Sequence, residues 1–119
     1  MAKVLIVDDE EDILDFVGGY LEDLGHKVLR TQYGQEAISL LLNEKPDVAI
    51  IDVRLKDGVS GLAVIKEVHA KAPAQKMLLL TAYQDVQEEA LKNGVLFCIS
   101  KPSGLKELGE AVEKALNWK

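Results

Sequence analysis

Pro46-Asp47-Val48-Ala49-Ile50-Ile51-Asp52-Val53-Arg54-Leu55 is a short apolar run that stops at a carboxylate. Val48 to Ile51, β-branched apart from one Ala and opened by a Pro-Asp turn signal, has the pattern of a strand buried on both faces. Asp52 then stands at its carboxyl end. In open parallel α/β sheets that edge is where ligands bind, because the loops leaving the strands diverge there and leave a crevice. Asp52 is therefore a candidate for chemistry, set against the plainer alternative of an Asp that starts a turn. The residues at the other strand ends bear on the choice.

Working outward, the same pattern recurs. Lys3-Val4-Leu5-Ile6-Val7 ends in Asp8 and Asp9, Met77-Leu78-Leu79-Leu80 ends in Thr81-Ala82, and the run Val95 to Ile99 ends in Ser100-Lys101-Pro102. Lys27 to Thr31 reads as a more polar strand, expected nearer an edge of the sheet. Between these runs the apolar period becomes helical. From Glu11 to Leu24 the spacing of Ile13, Leu14, Phe16, Val17, Tyr20, Leu21 and Leu24 predicts a helix stopped by Gly25. A second helix is predicted over Gln35 to Asn43. A third, with Leu62, Val64, Ile65 and Val68, follows a loop that Asp57-Gly58 and Gly61 mark as flexible. The fourth, Asp85 to Asn93, is polar, with only Val86, Ala90 and Leu91 to anchor it. The last, Leu105 to Trp118, turns Leu105, Leu108, Val112, Ala115 and Leu116 inward. Strand then helix, five times over, predicts an α/β fold: a doubly wound five-stranded parallel sheet with helices on both faces, the flavodoxin-like (βα)5 arrangement.

The 119 residues suit one domain, residues 1–119. No apolar run approaches the roughly 20 residues of a spanning helix, and the amino end lacks a signal-peptide pattern. A cytoplasmic location without membrane contact is expected. The single cysteine, Cys98, suits a reducing compartment and reads as a small buried hydrophobe. Fourteen basic against 20 acidic residues give a net charge of −6, the wrong sign for a surface that tracks phosphates, so direct binding of nucleic acid is not expected. His26 and His69 lack partners at metal-ligand spacing and are assigned to the surface. Trp118 is expected to pack the end of the last helix, or else to serve an interface.

Beyond the strand ends stand Asp8 and Asp9, Asp52, Thr81 and Lys101. If the first, third, fourth and fifth strands lie side by side, these side chains converge in one crevice. Carboxylates brought this close repel, and some take up protons unless a cation joins them. The acids at 8 to 12 also open a helix, where the macrodipole favours negative charge, but five in a row exceed what that modest benefit accounts for. Carboxylate oxygens with water describe a Mg²⁺ site, and an ion with open positions can hold phosphate oxygens. Lys101 adds a positive charge and Thr81 a hydroxyl, and an Asp between metal and lysine can act as a nucleophile toward phosphorus.

The set Val7-Asp8-Asp9-Glu10, Ile51-Asp52-Val53-Arg54-Leu55, Leu80-Thr81-Ala82-Tyr83 and Ser100-Lys101-Pro102 resembles the receiver domain of bacterial two-component response regulators, over the whole chain. The resemblance implies that Asp52 is the phosphoacceptor, charged by a sensor histidine kinase or phosphotransfer protein. Asp9 would bind Mg²⁺ directly, Asp8 chiefly through water, and Asp52 and the backbone carbonyl of Arg54 would complete the ligands. Thr81 would move toward the phosphoryl oxygens and Lys101 pair with them. Pro102 corresponds to the family's cis-peptide site. Output would be altered affinity for a downstream protein target, or a phosphorylation-dependent homodimer. The first helix, with Ile13 and Phe16 outward beside Glu10 and Asp12, resembles the docking face for the histidine donor; the alternative is that the domain's own loops cover both residues.

Two departures stand out. Lys56 replaces the usual Pro four residues after the acceptor, in a loop one residue longer. Three residues before the lysine, many members carry a Tyr or Phe that swings inward; here it is Cys98, beside Phe97. Substitution by Phe97 would need a one-residue shift that reverses sheet faces, so switching without that rotamer change is expected. Arg54 and Tyr83 are expected to flank the path of attacking water, unless Arg54 simply points into solvent. The alternatives are a phosphorelay shuttle, the receiver cut from a larger transcription factor or hybrid kinase, and a Mg²⁺-dependent phosphatase. The phosphatase reading meets an Asp8-Asp9-Glu10 spacing that breaks its Asp-x-Asp pattern.

Overall fold

The computed structural model describes residues 2–101 and 104–118. Five strands, β1 (Lys3–Val7), β2 (Lys27–Thr31), β3 (Val48–Ile51), β4 (Met77–Thr81) and β5 (Cys98–Ser100), form one parallel sheet in the order β2-β1-β3-β4-β5. They alternate with α1 (Glu11–Asp23), α2 (Gly34–Glu44), α3 (Gly61–Lys71), α4 (Gln87–Lys92) and α5 (Leu105–Leu116). The polar strand β2 is an edge, as its composition predicts, and the order reverses between β1 and β3, the switch point at which such sheets bind ligands.

The period of two along each strand divides the core in two. Leu5 and Val7, Ala49 and Ile51, Met77 and Leu79 face Ala37, Ile38 and Leu41 of α2 and Val64, Ile65 and Val68 of α3. Val4 and Ile6, Val48 and Ile50, Leu78 and Leu80 face Leu14, Val17 and Leu21 of α1 and Leu108, Val112 and Ala115 of α5. Because both faces are covered, the central strands are apolar without interruption, and each large side chain buried contributes about 1.5–3 kcal/mol.

Several local expectations are corrected. β5 is Cys98–Ser100 rather than Val95 to Ile99, because Val95 folds under α4 with its N–H on the Ala90 carbonyl, after Gly94 takes a left-handed turn at φ +99°. The fourth helix opens as a 3-10 turn, Gln84–Val86, before α4, and Leu91 is exposed, which leaves Ala90 as its buried anchor. Leu24 lies beyond α1 and is exposed as well. Neither histidine is a surface residue. The His26 side chain is 7% exposed, with Nδ1 accepting from the Ala2 N–H at 3.4 Å and Nε2 at 3.4 Å from Glu113. His69 is half-buried and fills the space that a Cβ at Gly94 would need. Trp118 packs on Phe97 with ring centroids 5.8 Å apart while keeping an exposed edge.

Candidate metal and phosphoryl site

The register carries the candidate residues to one edge. Val7 pairs with Ile51 and Ile51 with Leu79, so the chains leaving β1 and β3 emerge side by side, and the Asp52 N–H donates to the Val7 carbonyl at 2.9 Å. On the other side Thr81 pairs with Ser100, and the Lys101 N–H donates to the Thr81 carbonyl at 2.9 Å. Asp8, Asp9 and Asp52 then each offer an oxygen within 4.8 Å of the others. Asp8 and Asp52 are 1% and 6% exposed, while Asp9 is half-buried toward the mouth.

Lys101 lies over the two buried acids, its Nζ donating to Asp8 Oδ2 at 2.8 Å and to Asp52 Oδ2 at 3.0 Å. The remaining oxygens are held by backbone: Asp8 Oδ1 accepts from the Glu10 N–H at 2.9 Å and Asp52 Oδ1 from the Val53 N–H at 2.8 Å. Burial pushes the Asp8 carboxyl up to about 6, helped by the charge of Asp52 and opposed by the bonds from Lys101 and Glu10. Burial alone would lower the Lys101 ammonium. Its bond to Asp8 and the charge and bond of Asp52 outweigh that, so its pKa is raised and the amine stays protonated. One cation against three clustered carboxylates leaves an excess of negative charge that a hard divalent ion would fit, since all the donors are oxygens.

Thr81 is buried at the end of β4, and its Oγ1 accepts from the Tyr83 N–H at 3.0 Å. Arg54 does not simply reach into solvent: its guanidinium carbon lies 5.0 Å from the centre of the Tyr83 ring, joining the loops that leave β3 and β4. Cys98 and Phe97 face opposite sides of the sheet, Cys98 with the α2–α3 core and Phe97 with the α1–α5 core, so Phe97 does not replace an aromatic at position 98. Burial raises the Cys98 thiol, which suits a packing role. The bond into Pro102 lies outside the described residues.

Sequence reading missed what holds the β3–α3 loop without a proline. The Asp57 carboxylate accepts from the Gly34 and Gln35 N–H groups at 2.9 and 3.0 Å, capping α2 from another loop, and those bonds hold its pKa below the usual range. The Lys56 N–H donates to the Gln32 carbonyl at 2.9 Å, and the Gln32 side chain donates to the Asp9 carbonyl at 2.9 Å. Gly61 is no flexible hinge but the buried first residue of α3, pressed against the Asp52 carbonyl and donating its N–H to the Val53 carbonyl at 2.7 Å. Ser60 caps that helix through the Leu62 N–H. A Ser directly before a helical apolar run is a readable cap signal.

A carboxylate trio with a lysine paired to two of its members, at the switch point of a parallel sheet, marks the receiver class of signalling domain. Residues 4–113 match the response regulator receiver domain, and the chain belongs to that family of phosphorylation-dependent switches in two-component systems. It is 33% identical over 115 residues to the transcriptional regulatory protein ZraR of Escherichia coli, covering 95% of this chain and 26% of that protein. It is 34% identical over 115 residues to a cyclic di-GMP phosphodiesterase of Thermotoga maritima, covering 95% of this chain and 30% of that protein. The chain thus spans about a third or less of these curated relatives. A CheY-like receiver domain protein from Methanospirillum hungatei superposes with a TM-score of 0.92 at 28% identity, covering 98% of this chain and 94% of that one. Among the described residues no helix is long and apolar enough to cross a membrane.

Proposed function

We propose that the chain stores a phosphoryl group on Asp52 and changes its affinity for a protein target accordingly. The observation that carries this is the placement of Asp52 between the acidic pair and the Lys101 ammonium, 3.0 Å away, with its carboxylate fixed at both oxygens. A sensor histidine kinase or phosphotransfer protein supplies the group: the P–N bond to the donor imidazole breaks as a P–O bond forms to Asp52. Asp8, Asp9, Asp52 and the Arg54 carbonyl would hold Mg²⁺, which would supply charge neutralisation for the transferred group. Lys101 then turns from Asp52 to the phosphoryl oxygens, and Thr81 gives up its bond from Tyr83 to meet them. The donor's helix docks in the groove of about 580 Å³ between α1 and α5, lined by Ile13, Phe16, Val17, Leu105 and Leu108 and reaching Lys101. Phe16, 69% exposed, is its outer wall. A cytoplasmic location follows from such a donor.

The small side chain at position 98 favours a second reading within the same chemistry, a phosphorelay shuttle that accepts and passes on phosphate. The larger regulators among its relatives support another, a receiver that works within such a regulator as a phosphorylation-dependent homodimer. The test is intact mass after incubation with acetyl phosphate. Wild type gains one base-labile phosphoryl group only with Mg²⁺, and Asp52→Asn gains none; an equal adduct on the mutant would overturn the assignment.

We infer a role in phosphoryl lifetime for the Arg54–Tyr83 contact, which joins the loops two residues past Asp52 and Thr81 and would obstruct attacking water. The double substitution Arg54→Ala, Tyr83→Ala is expected to hasten loss of the aspartyl phosphate several-fold. Unchanged decay in a pulse-chase of the purified phosphoprotein would refute it.

A further inference from the structure

The loop between β2 and α2 carries none of the residues assigned above, yet the chain there is bonded to both loops that supply the carboxylates and the Arg54 carbonyl. The Thr31 carbonyl accepts from the Asp8 N–H at 3.1 Å, and the Gln32 Nε2 donates to the Asp9 carbonyl at 2.9 Å. On the other side the Gln32 carbonyl accepts from the Lys56 N–H at 2.9 Å, two residues past Arg54. The loop is itself fixed: the Thr31 hydroxyl donates to Glu36 and accepts from the Tyr33 N–H, and Asp57 grips Gly34 and Gln35. Gln32 is half-buried and bridges the two loops through its side chain and its own peptide group.

The Gln32 bond thus falls on the backbone that carries the Asp9 carboxylate. Asp9 is also the least buried of the three acids, and the Lys101 bonds described go to Asp8 and Asp52. Its aim toward an ion therefore depends on the backbone, and the Gln32 amide is what ties that backbone from outside the β1–α1 loop. We propose that Gln32 is a positioning residue for the divalent ion, setting the spacing between Asp9 and the Arg54 carbonyl and replacing the stiffness that a proline at position 56 would have supplied. The proposal rests on the Mg²⁺ and Asp52 assignments above. Gln32 touches neither Asp52 nor Lys101 through the bonds described, so it acts on ion affinity rather than on the phosphoryl transfer step.

The experiment compares wild type with Gln32→Leu, which keeps the volume and removes the donor, and with Gln32→Met as a second variant. Mg²⁺ affinity is measured by calorimetry on the unphosphorylated protein, thermal unfolding is followed in EDTA, and the rate of labelling by acetyl phosphate is measured against Mg²⁺ concentration. The expected result is a Kd for Mg²⁺ raised about tenfold, the lower end for groups that orient a metal ligand. The limiting labelling rate at saturating Mg²⁺ stays within about twofold of wild type, since the acceptor is untouched. A Kd equal to wild type overturns the proposal, whatever the change in melting temperature. So does a limiting rate that falls as much as the affinity, which would mark a general distortion. Wild type that fails to bind Mg²⁺ overturns the metal assignment itself, an outcome distinct from either.

Discussion

Gly61→Ala is expected to cost about 3 kcal/mol of stability, the upper end for overpacking, and with it the phosphoryl adduct. A Cβ at Gly61 would stand 1.9 Å from the Asp52 carbonyl oxygen, 2.8 Å from its carbon and 3.0 Å from the Val53 Cα. All three neighbours are backbone, so no rotamer change relieves the clash. Either the amino end of α3 retreats, breaking the bond from the Gly61 N–H to the Val53 carbonyl, or the peptide after Asp52 rotates and takes the acceptor with it. Gly19 offers the contrast. It lies in α1 with nothing within 4 Å of a Cβ, so Gly19→Ala is expected to stabilise by about 0.5–1 kcal/mol through lost unfolded-state freedom. Urea unfolding of the two variants measures both signs. Equal stabilities for Gly61→Ala and wild type would show that the α3 terminus is not seated on the acceptor strand.

Asp8→Asn is expected to make the metal-free protein more stable, by on the order of 2–3 kcal/mol near neutral pH. The Asp8 carboxyl, about 3.8 when exposed to water, sits at about 6 in the folded chain because it is buried. Its proton is therefore held more tightly folded than unfolded. Stability from this group is fully present below about 4, is lost as pH rises through about 6, and is flat above that. An isosteric amide removes the loss. The gain should fade when unfolding is repeated in EDTA near pH 4, where the wild-type carboxyl is also neutral. Mg²⁺ reverses the order by favouring the charged wild type. A mutant no more stable than wild type in EDTA at neutral pH would mean that Lys101 already compensates the buried charge in full.

Charge set where packing favours apolar side chains is what makes the cluster legible. Asp8, Asp52, Thr81 and Lys101 interrupt apolar strand ends where packing alone would place no charge, and parallel register brings such interruptions together. The strands were equally plain, because Val48 to Ile51 and Met77 to Leu80 are buried on both faces and carry no competing period. The misses share a different physics. Val95 is apolar for a contact beneath α4 rather than for a strand, and Leu24 and Leu91 continue a helical period past the point where there is a core to meet it. Gln32, Asp57 and the Gly61 contact act across loops more than 20 residues apart or by the absence of a side chain. Such bonds leave no period, and Asp57-Gly58 looks like any turn.

The tilted packing of Trp118 on Phe97, with the Lys114 ammonium 4.9 Å from the Phe97 ring centre, has an optical consequence. This is the chain's single tryptophan, and it lies just past the far end of α5, a helix of 12 residues and so about 18 Å long. An ion entering at Asp9 is therefore remote from the chromophore and does not quench it by contact. Any change in emission on loading Asp52 has travelled along β5 or α5, so the fluorescence of this protein reads transmission through the domain rather than occupancy of its site.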